Sequence, residues 1–300
     1  MTKPRLSVEA RYEGLLFIAA AIWGSGFVAQ RLGMESLPPL AFNGARFAVG
    51  ALALVPIMIL RRTGRAAVVA ALKPALIAGA VLSVAANLQQ FGMQYTNAGK
   101  AGFITGLYVA LVPVAGVFLG RRTAPRVWLG AALTLAGLFV LSVSGGFTVE
   151  RGDLIIMASA LFWAAHILTL DRFAPRVDPI ALASLQFGVC SVVSWALALA
   201  FESFKPADFV LGLGPILYGG LASIGIAYTL QAVAQTKAHP ARASIILALE
   251  APFAALAGWA FLAELMSARE LVGCAVMFAG IVLSQLPERA AAGGSVAPAS

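Results

Sequence analysis

The sequence predicts an all-α polytopic membrane protein of ten transmembrane helices, built as two inverted five-helix repeats. Three observations predict it. The chain of 300 residues is 60% hydrophobic and only 11% charged, against roughly a quarter charged in soluble globular proteins, and its mean hydropathy is +0.89. Apolar stretches of about 20 residues, enough to cross a hydrocarbon core of ~30 Å as a helix, recur along the whole length. The second half repeats the first at an offset near 140 residues. A β-barrel would instead show alternating segments of about ten residues, which the sequence lacks.

Charges, prolines and glycines mark the breaks, and the spans fall at about 14–33, 39–60, 74–95, 99–119, 126–145, 153–171, 179–201, 210–235, 240–261 and 269–286. The first follows Lys3, Arg5 and Arg11 but has no A-x-A-like cleavage site after it, so it reads as a retained helix rather than a signal peptide. Spans two and seven open at Pro39 and Pro179, and span nine opens at Pro240. The expected organisation is an N-terminal segment 1–13, a first repeat 14–146, a second repeat 147–287 and a small-residue, flexible tail 288–300.

Lys and Arg set the orientation. Of 21 such residues, 15 fall in the termini and in loops that follow even-numbered spans, among them Arg61, Arg62, Arg121, Arg122, Arg172 and Arg242. Five fall on the opposite side, and Arg46 lies within a span. Both termini are therefore expected in the cytoplasm, in a bacterial-type inner membrane. The net charge of +8 is accounted for by topology, so no nucleic-acid partner is expected. Cys190 and Cys274 both lie in apolar runs and read as packing residues.

The repeat rests on several matches. IWGSGF at 22 aligns with FWAAHI at 162, and PLAFNGARF at 39 with PIALASLQF at 179. YTNAGKA at 95 aligns with QTKAHPA at 235, sharing Thr96 and Thr236. With a one-residue shift, Pro113 pairs with Pro252. Five spans per copy force the second copy to insert upside down, and inverted repeats suit a transporter whose halves rock about a midplane site.

The run SIILALEAPFAALAGWAFLAELMSARELVGCAVMFAGIVLSQL from 244 resembles the last two helices of the EamA-type members of the drug/metabolite transporter superfamily, with Glu250, Pro252, Ala254, Gly258, Glu264, Gly273 and Gly280 carrying the likeness. WGSGF at 23 is similar to that family's first helix, and the resemblance covers about residues 14 to 286. It implies ten helices in two EamA units around a central cavity and export of small metabolites. The nearest resemblance within it is to bacterial YddG-type exporters of aromatic amino acids. One departure is LGRRT at 119, where the family often has a Gly-Glu pair.

Polar groups at bilayer depth are costly and usually face a bundle interior or a watery cavity. Trp23 and Trp163 hold equivalent places in spans one and six, so their rings could form two walls of one cavity; simple packing is the structural alternative. Trp163 lies ~15 Å into its helix, mid-membrane rather than at the interfacial belt. His166, one turn on, is expected to line the same cavity, or else to bond a neighbouring backbone or hydroxyl. Asn87, Gln90 and Gln94 form a stripe at i, i+3 and i+7 in span three, and Tyr228, Gln231 and Gln235 form another in span eight. Either stripe could line a path or tie helices together. Tyr108, Thr105 and Ser244 are further cavity candidates. Glu250 and Arg46 both sit well inside the bilayer, where they could pair with each other, or Glu250 could take a substrate amine or a proton. Pro113 and Pro252 are hinge candidates, since each frees a backbone carbonyl in an equivalent helix.

Other classes find little support. HExxH, a P-loop and paired aspartates are absent, and His166 and His239 are the only histidines. No metal, cofactor or catalytic group is expected. A carrier of lipid-linked groups would call for a strongly basic cavity. The expected partners are a small-molecule substrate, an amino acid or related metabolite, and the lipid bilayer, with facilitated diffusion as the expected mode and proton coupling as the alternative.

Overall fold

The computed structural model describes residues 8–95, 98–142, 150–262 and 267–286. The outer parts of the terminal segments, Thr96 and Glu264 lie outside the described residues. Among these residues nine stretches are long and apolar enough to cross a membrane, and Pro125–Leu141 is a shorter apolar helix. No strand occurs among them.

Span 1 is Val8–Ser36, span 2 Pro39–Leu60 and span 3 Arg65–Gly92. Span 4 is broken into Ala98–Gly106 and Tyr108–Phe118, and span 5 is Pro125–Ser142. In the second half, span 6 is Arg151–Phe173 and span 7 Pro179–Phe201. Span 8 runs as Leu213–Tyr218, then a π-helical stretch Gly219–Tyr228, then Thr229–Ala234. Span 9 is broken into Pro240–Leu247 and Glu250–Leu262, and span 10 is Ala268–Gln285. Spans 2 and 7 have the expected bounds because proline suits a first helical turn, where its missing N–H costs nothing. Span 3 starts nine residues earlier than expected: Pro74 lies inside the helix, where strong helix formers such as Ala66, Ala67 and Ala70 carry the chain through it.

Glycines show that the two copies run in opposite directions. Span 5 packs on span 10, its counterpart. A Cβ on Gly130 would stand 2.6 Å from the Gly280 carbonyl oxygen, and one on Gly137 would stand 2.7 Å from that of Gly273. As one number rises by seven the other falls by seven, which is antiparallel packing of equivalent helices. Spans 2 and 7 repeat the pattern: Ser191 Oγ donates to the Gly44 carbonyl at 2.8 Å and Ser184 Oγ to that of Ala51 at 3.0 Å. The largest of the remaining contacts come in exchange-related pairs, span 1 on 9 and 4 on 6, span 3 on 6 and 1 on 8, span 3 on 7 and 2 on 8.

Helix starts are satisfied by carboxylates. Asp178 caps span 7 by accepting from Ile180 N and Ala181 N at 3.0 and 2.8 Å. The matching place in span 2 is Pro38, which has no side-chain acceptor. Glu202, from beyond the end of span 7, accepts there instead from Leu40 N and Ala41 N at 2.9 and 2.8 Å. Equivalent amides in both repeats thus receive a carboxylate, which also complements the helix dipole.

The glycine contacts predict a stability asymmetry. Gly137→Ala puts a methyl against a backbone carbonyl and should cost about 1–3 kcal/mol as overpacking. Gly188→Ala in span 7 meets open space and should be neutral or stabilising by up to ~1 kcal/mol. Thermal unfolding of the purified variants in detergent reads the difference.

Candidate functional site

Spans 1, 2, 3, 4, 6, 8 and 9 enclose a central cavity lined by, among others, Trp23, Arg46, Gln89, Trp163, Gln231 and Glu250. The two equivalent tryptophans flank Tyr228: the Trp23 ring lies 4.4 Å from it and the Trp163 ring stacks on it at 6.0 Å and 20°. Each indole N–H is also held in an equivalent way. Trp23 Nε1 donates to the Ser223 carbonyl of span 8 at 3.1 Å, and Trp163 Nε1 donates to Gln89 Oε1 of span 3 at 2.8 Å. These helix pairs exchange under the repeat. The Ser223 acceptor lies in the π-helical stretch, and π turns often mark functional sites.

Spans 4 and 9 are both interrupted at the cavity. Tyr108 and Glu250 are the first helical residues after the two breaks, and Tyr108 OH donates to Glu250 Oε1 at 3.1 Å. Irregular backbone at membrane depth is tolerated where protein buries it or a cavity faces it. The breaks come upstream of Pro113 and Pro252, at Leu107 and at Ala248–Leu249.

Arg46 reaches the same cavity from span 2. Its Nε donates to Asn43 Oδ1 at 2.8 Å, and its guanidinium lies over the rings of Phe42 and Phe47 at 5.4 and 5.3 Å. A guanidinium carries five N–H donors, and this one meets no carboxylate among the described residues. A pair with Glu250, one of the alternatives the sequence leaves open, does not form: both groups line one cavity, and each keeps capacity for a further partner. The cavity centre offers about 40 Å³, room for about three waters. A ligand larger than that requires the helices to move.

The EamA-like transporter family model matches residues 11–143 and again residues 150–286. The chain belongs to the EamA-like transporter family. An Archaeoglobus fulgidus protein named an uncharacterized transporter is 28% identical over 275 residues, covering 90% of this chain and 84% of that one. A Bacillus subtilis transporter, YwfM, is 28% identical over 292 residues, covering 93% and 95%. The Escherichia coli inner membrane transporter YedA is 26% identical over 278 residues, covering 91% and 90%. A crystal structure of a protein superposes with a TM-score of 0.78 at 21% identity, covering 92% of this chain and 96% of that one; this likeness speaks to the fold alone. The chain is thus a polytopic membrane transporter of two EamA repeats.

Of the residues expected at the EamA cavity, Trp23, Thr105, Tyr108, Trp163, Tyr228, Gln231 and Glu250 line it. The others stand elsewhere. His166 lies behind the wall, edge-on to Trp163 at 6.2 Å and bonded through Nε2 to Gln186 Oε1 at 3.0 Å. Asn87 Oδ1 accepts from Asn43 Nδ2 and Ser194 Oγ at 2.8 and 3.0 Å, so it ties spans 2, 3 and 7 together. Gln90 is fully buried beside it in the chain but outside the cavity lining. Gln94 is exposed past the end of span 3, and Ser244 Oγ turns back to the Ala241 carbonyl. Gln89, Phe27, Gln30 and Arg46 line the cavity without having been expected there. Trp23, Phe27 and Gln30 sit at i, i+4 and i+7, a signal the sequence contains.

A second cavity of about 450 Å³ opens at the arginine-rich end of the EamA bundle, lined by Glu13, Arg121, Asp171, Gln235, His239 and Arg242 among others. Here Arg121 pairs with Asp171, and Arg242 with Glu13 at 3.5 Å. The first pair joins spans 4 and 6, the second spans 9 and 1, again exchange-related. Arg121 of the LGRRT departure therefore supplies one half of an ion pair between the end of span 4 and span 6. His239 Nδ1 accepts from Ala241 N at 3.3 Å; burial first, then the neighbouring Arg121 and Arg242 charges, push its pKa down. Buried Leu16, Val112 and Ile245 belong to one apolar cluster. On their helices each falls between a vestibule residue and a central one: Glu13 and Trp23, Arg121 and Tyr108, Arg242 and Glu250. They form an apolar septum between the two cavities.

Opening that septum should expose the centre. With Cys190 and Cys274 replaced by Ala, Gln231→Cys should react at least about tenfold faster with an impermeant thiol reagent from the arginine-rich side once Leu16→Ala and Ile245→Ala are added. Each truncation should cost about 2–5 kcal/mol of stability, which thermal unfolding checks in parallel.

Proposed function

We propose that this EamA transporter exports neutral amino acids, aromatic ones foremost, by alternating access between two inverted halves. The observation that carries the reading is the pairing of Arg46 and Glu250 in one aromatic-walled cavity without an ion pair between them. A zwitterion presents a carboxylate and an ammonium group on one carbon. Arg46 offers donors to the first, Glu250 accepts from the second, and Trp23, Trp163 and Tyr228 supply faces for an apolar or aromatic side chain. Burying an uncompensated guanidinium is costly. Phe42, Phe47 and Asn43 relieve part of that cost, and a ligand carboxylate relieves more.

The arginine-rich end, with both termini, faces the cytoplasm on this reading, in the inner membrane. Pro113 and Pro252 then act with the nearby breaks as hinges, and the two halves 14–146 and 147–287 move as units. Facilitated diffusion is the mode we favour. Among the described residues Glu250 is the one carboxylate that lines the central cavity, so proton antiport would run through it. If an imposed pH gradient drives tryptophan uphill into proteoliposomes in wild type and not in Glu250→Gln, facilitated diffusion is wrong.

The charge assignment has its own test. A charge-assisted hydrogen bond contributes about 1.5–3 kcal/mol, which is roughly ten- to hundredfold in affinity. Arg46→Met should therefore weaken tryptophan binding by that factor and leave tryptamine, which has no carboxylate, nearly unaffected. Glu250→Gln should weaken both amines and spare indole-3-propionate. Equal losses for all three ligands in either variant would overturn the assignment.

A further inference from the structure

We infer that the vestibule at the arginine-rich end is a second binding site for the same zwitterion, a loading station one helical turn from the central cavity. The inference rests on the amino-acid reading above and adds to it a second place on the path.

The two cavities share helix faces. On span 6, Ile167 lines the centre and Asp171 the vestibule; on span 8, Gln231 lines the centre and Gln235 the vestibule. Both steps are i to i+4, about 6 Å along a helix. Gln235 is 1% exposed. Its Nε2 donates to the Ile167 carbonyl at 2.8 Å, which fixes the amide so that Oε1 is the remaining acceptor. That oxygen is buried and meets no donor among the described residues. A buried acceptor without a donor is costly, and Gln235 lines a cavity large enough for a ligand. Gln231 Oε1, one turn deeper, is also buried without a donor among the described residues. The two oxygens form a ladder of acceptors leading toward Glu250, suited to an ammonium group.

The carboxylate end of the ligand has partners as well. Arg121 and Arg242 are engaged by Asp171 and Glu13, whereas Arg122 and Lys237 line the vestibule with no carboxylate partner among the described residues. Because His239 Nδ1 accepts from a backbone N–H, the neutral ring carries its proton on Nε2, a further donor in the same cavity. An ammonium acceptor and carboxylate donors lining one cavity match an amino acid better than they match either a bare amine or a bare anion.

Two measurements test the loading station. The first is equilibrium dialysis of labelled tryptophan against the full-length protein in nanodiscs. Wild type should bind two equivalents, the Arg46→Met/Glu250→Gln variant one weaker equivalent, and that variant with Arg122→Gln and Lys237→Gln none. The second is tryptophan transport by Arg122→Gln/Lys237→Gln in proteoliposomes of known orientation. KM should rise about tenfold when substrate is presented at the arginine-rich mouth and stay unchanged from the other side. Gln235→Glu, which keeps an acceptor, should retain binding where Gln235→Leu loses it. One equivalent in wild type and none in the central-site variant would overturn the vestibule site while leaving the central one standing. An equal rise in KM from both sides would also overturn it. No amino-acid binding in any form would remove both readings together.

Discussion

Lipid offers no hydrogen bond, and the placement of this protein's polar groups follows from that constraint. Carboxylates at the ends of the bundle go to helix starts, as Asp178 and Glu202 do. Amides and hydroxyls at depth tie neighbouring helices, as Asn87 does with Asn43 and Ser194. Backbone that departs from the α-helix, at the breaks in spans 4 and 9 and in the π-helical stretch of span 8, is gathered around the central cavity. Among the groups that line a cavity, those with spare capacity include Arg46, Glu250, Thr105 Oγ1 and the carbonyl oxygens of Gln231 and Gln235. Function is read from these groups.

The scaffold is symmetric and the site is not. Equivalent tryptophans, equivalent broken helices and exchange-related pairs of packed spans all follow from the inverted repeat. The charges at the centre break the pattern. The residue matching Arg46 is Gln186, which holds His166 behind the wall, and the residue matching Glu250 is Leu111. A symmetric frame can present the same path to either side of the membrane, and on the proposed reading one cation from the first repeat and one anion from the second orient the ligand within it.

Much of the fold was legible because its signals are local. Apolar length gave ten spans, and proline at a first turn gave the bounds of spans 2 and 7. Pro74 misled because a proline is a weak break when the residues around it favour helix strongly. The repeat revealed the tryptophan pair, and the π-helical stretch had no signal in the apolar pattern that carries it. The site was less legible because periodicity marks a helix face without naming its neighbour. Asn87, Gln90 and Gln94 do share a stripe, but that face meets spans 2 and 7 or runs past the helix end, and Gln89 beside them reaches the cavity. The Arg46 side chain had no acidic residue one turn away on its own helix, so its partner could only come from another span or from a ligand, and the choice needed the three-dimensional packing.

The central claim is that this cavity carries amino acids. Counterflow in proteoliposomes tests it most directly: vesicles loaded with one unlabelled amino acid, given labelled tryptophan, phenylalanine, leucine and lysine outside. The account predicts saturable accumulation of tryptophan and phenylalanine, weaker accumulation of leucine and little of lysine, all reduced by Trp163→Ala in protein that still folds. Accumulation of none of the four, by protein whose thermal unfolding is intact, would contradict it.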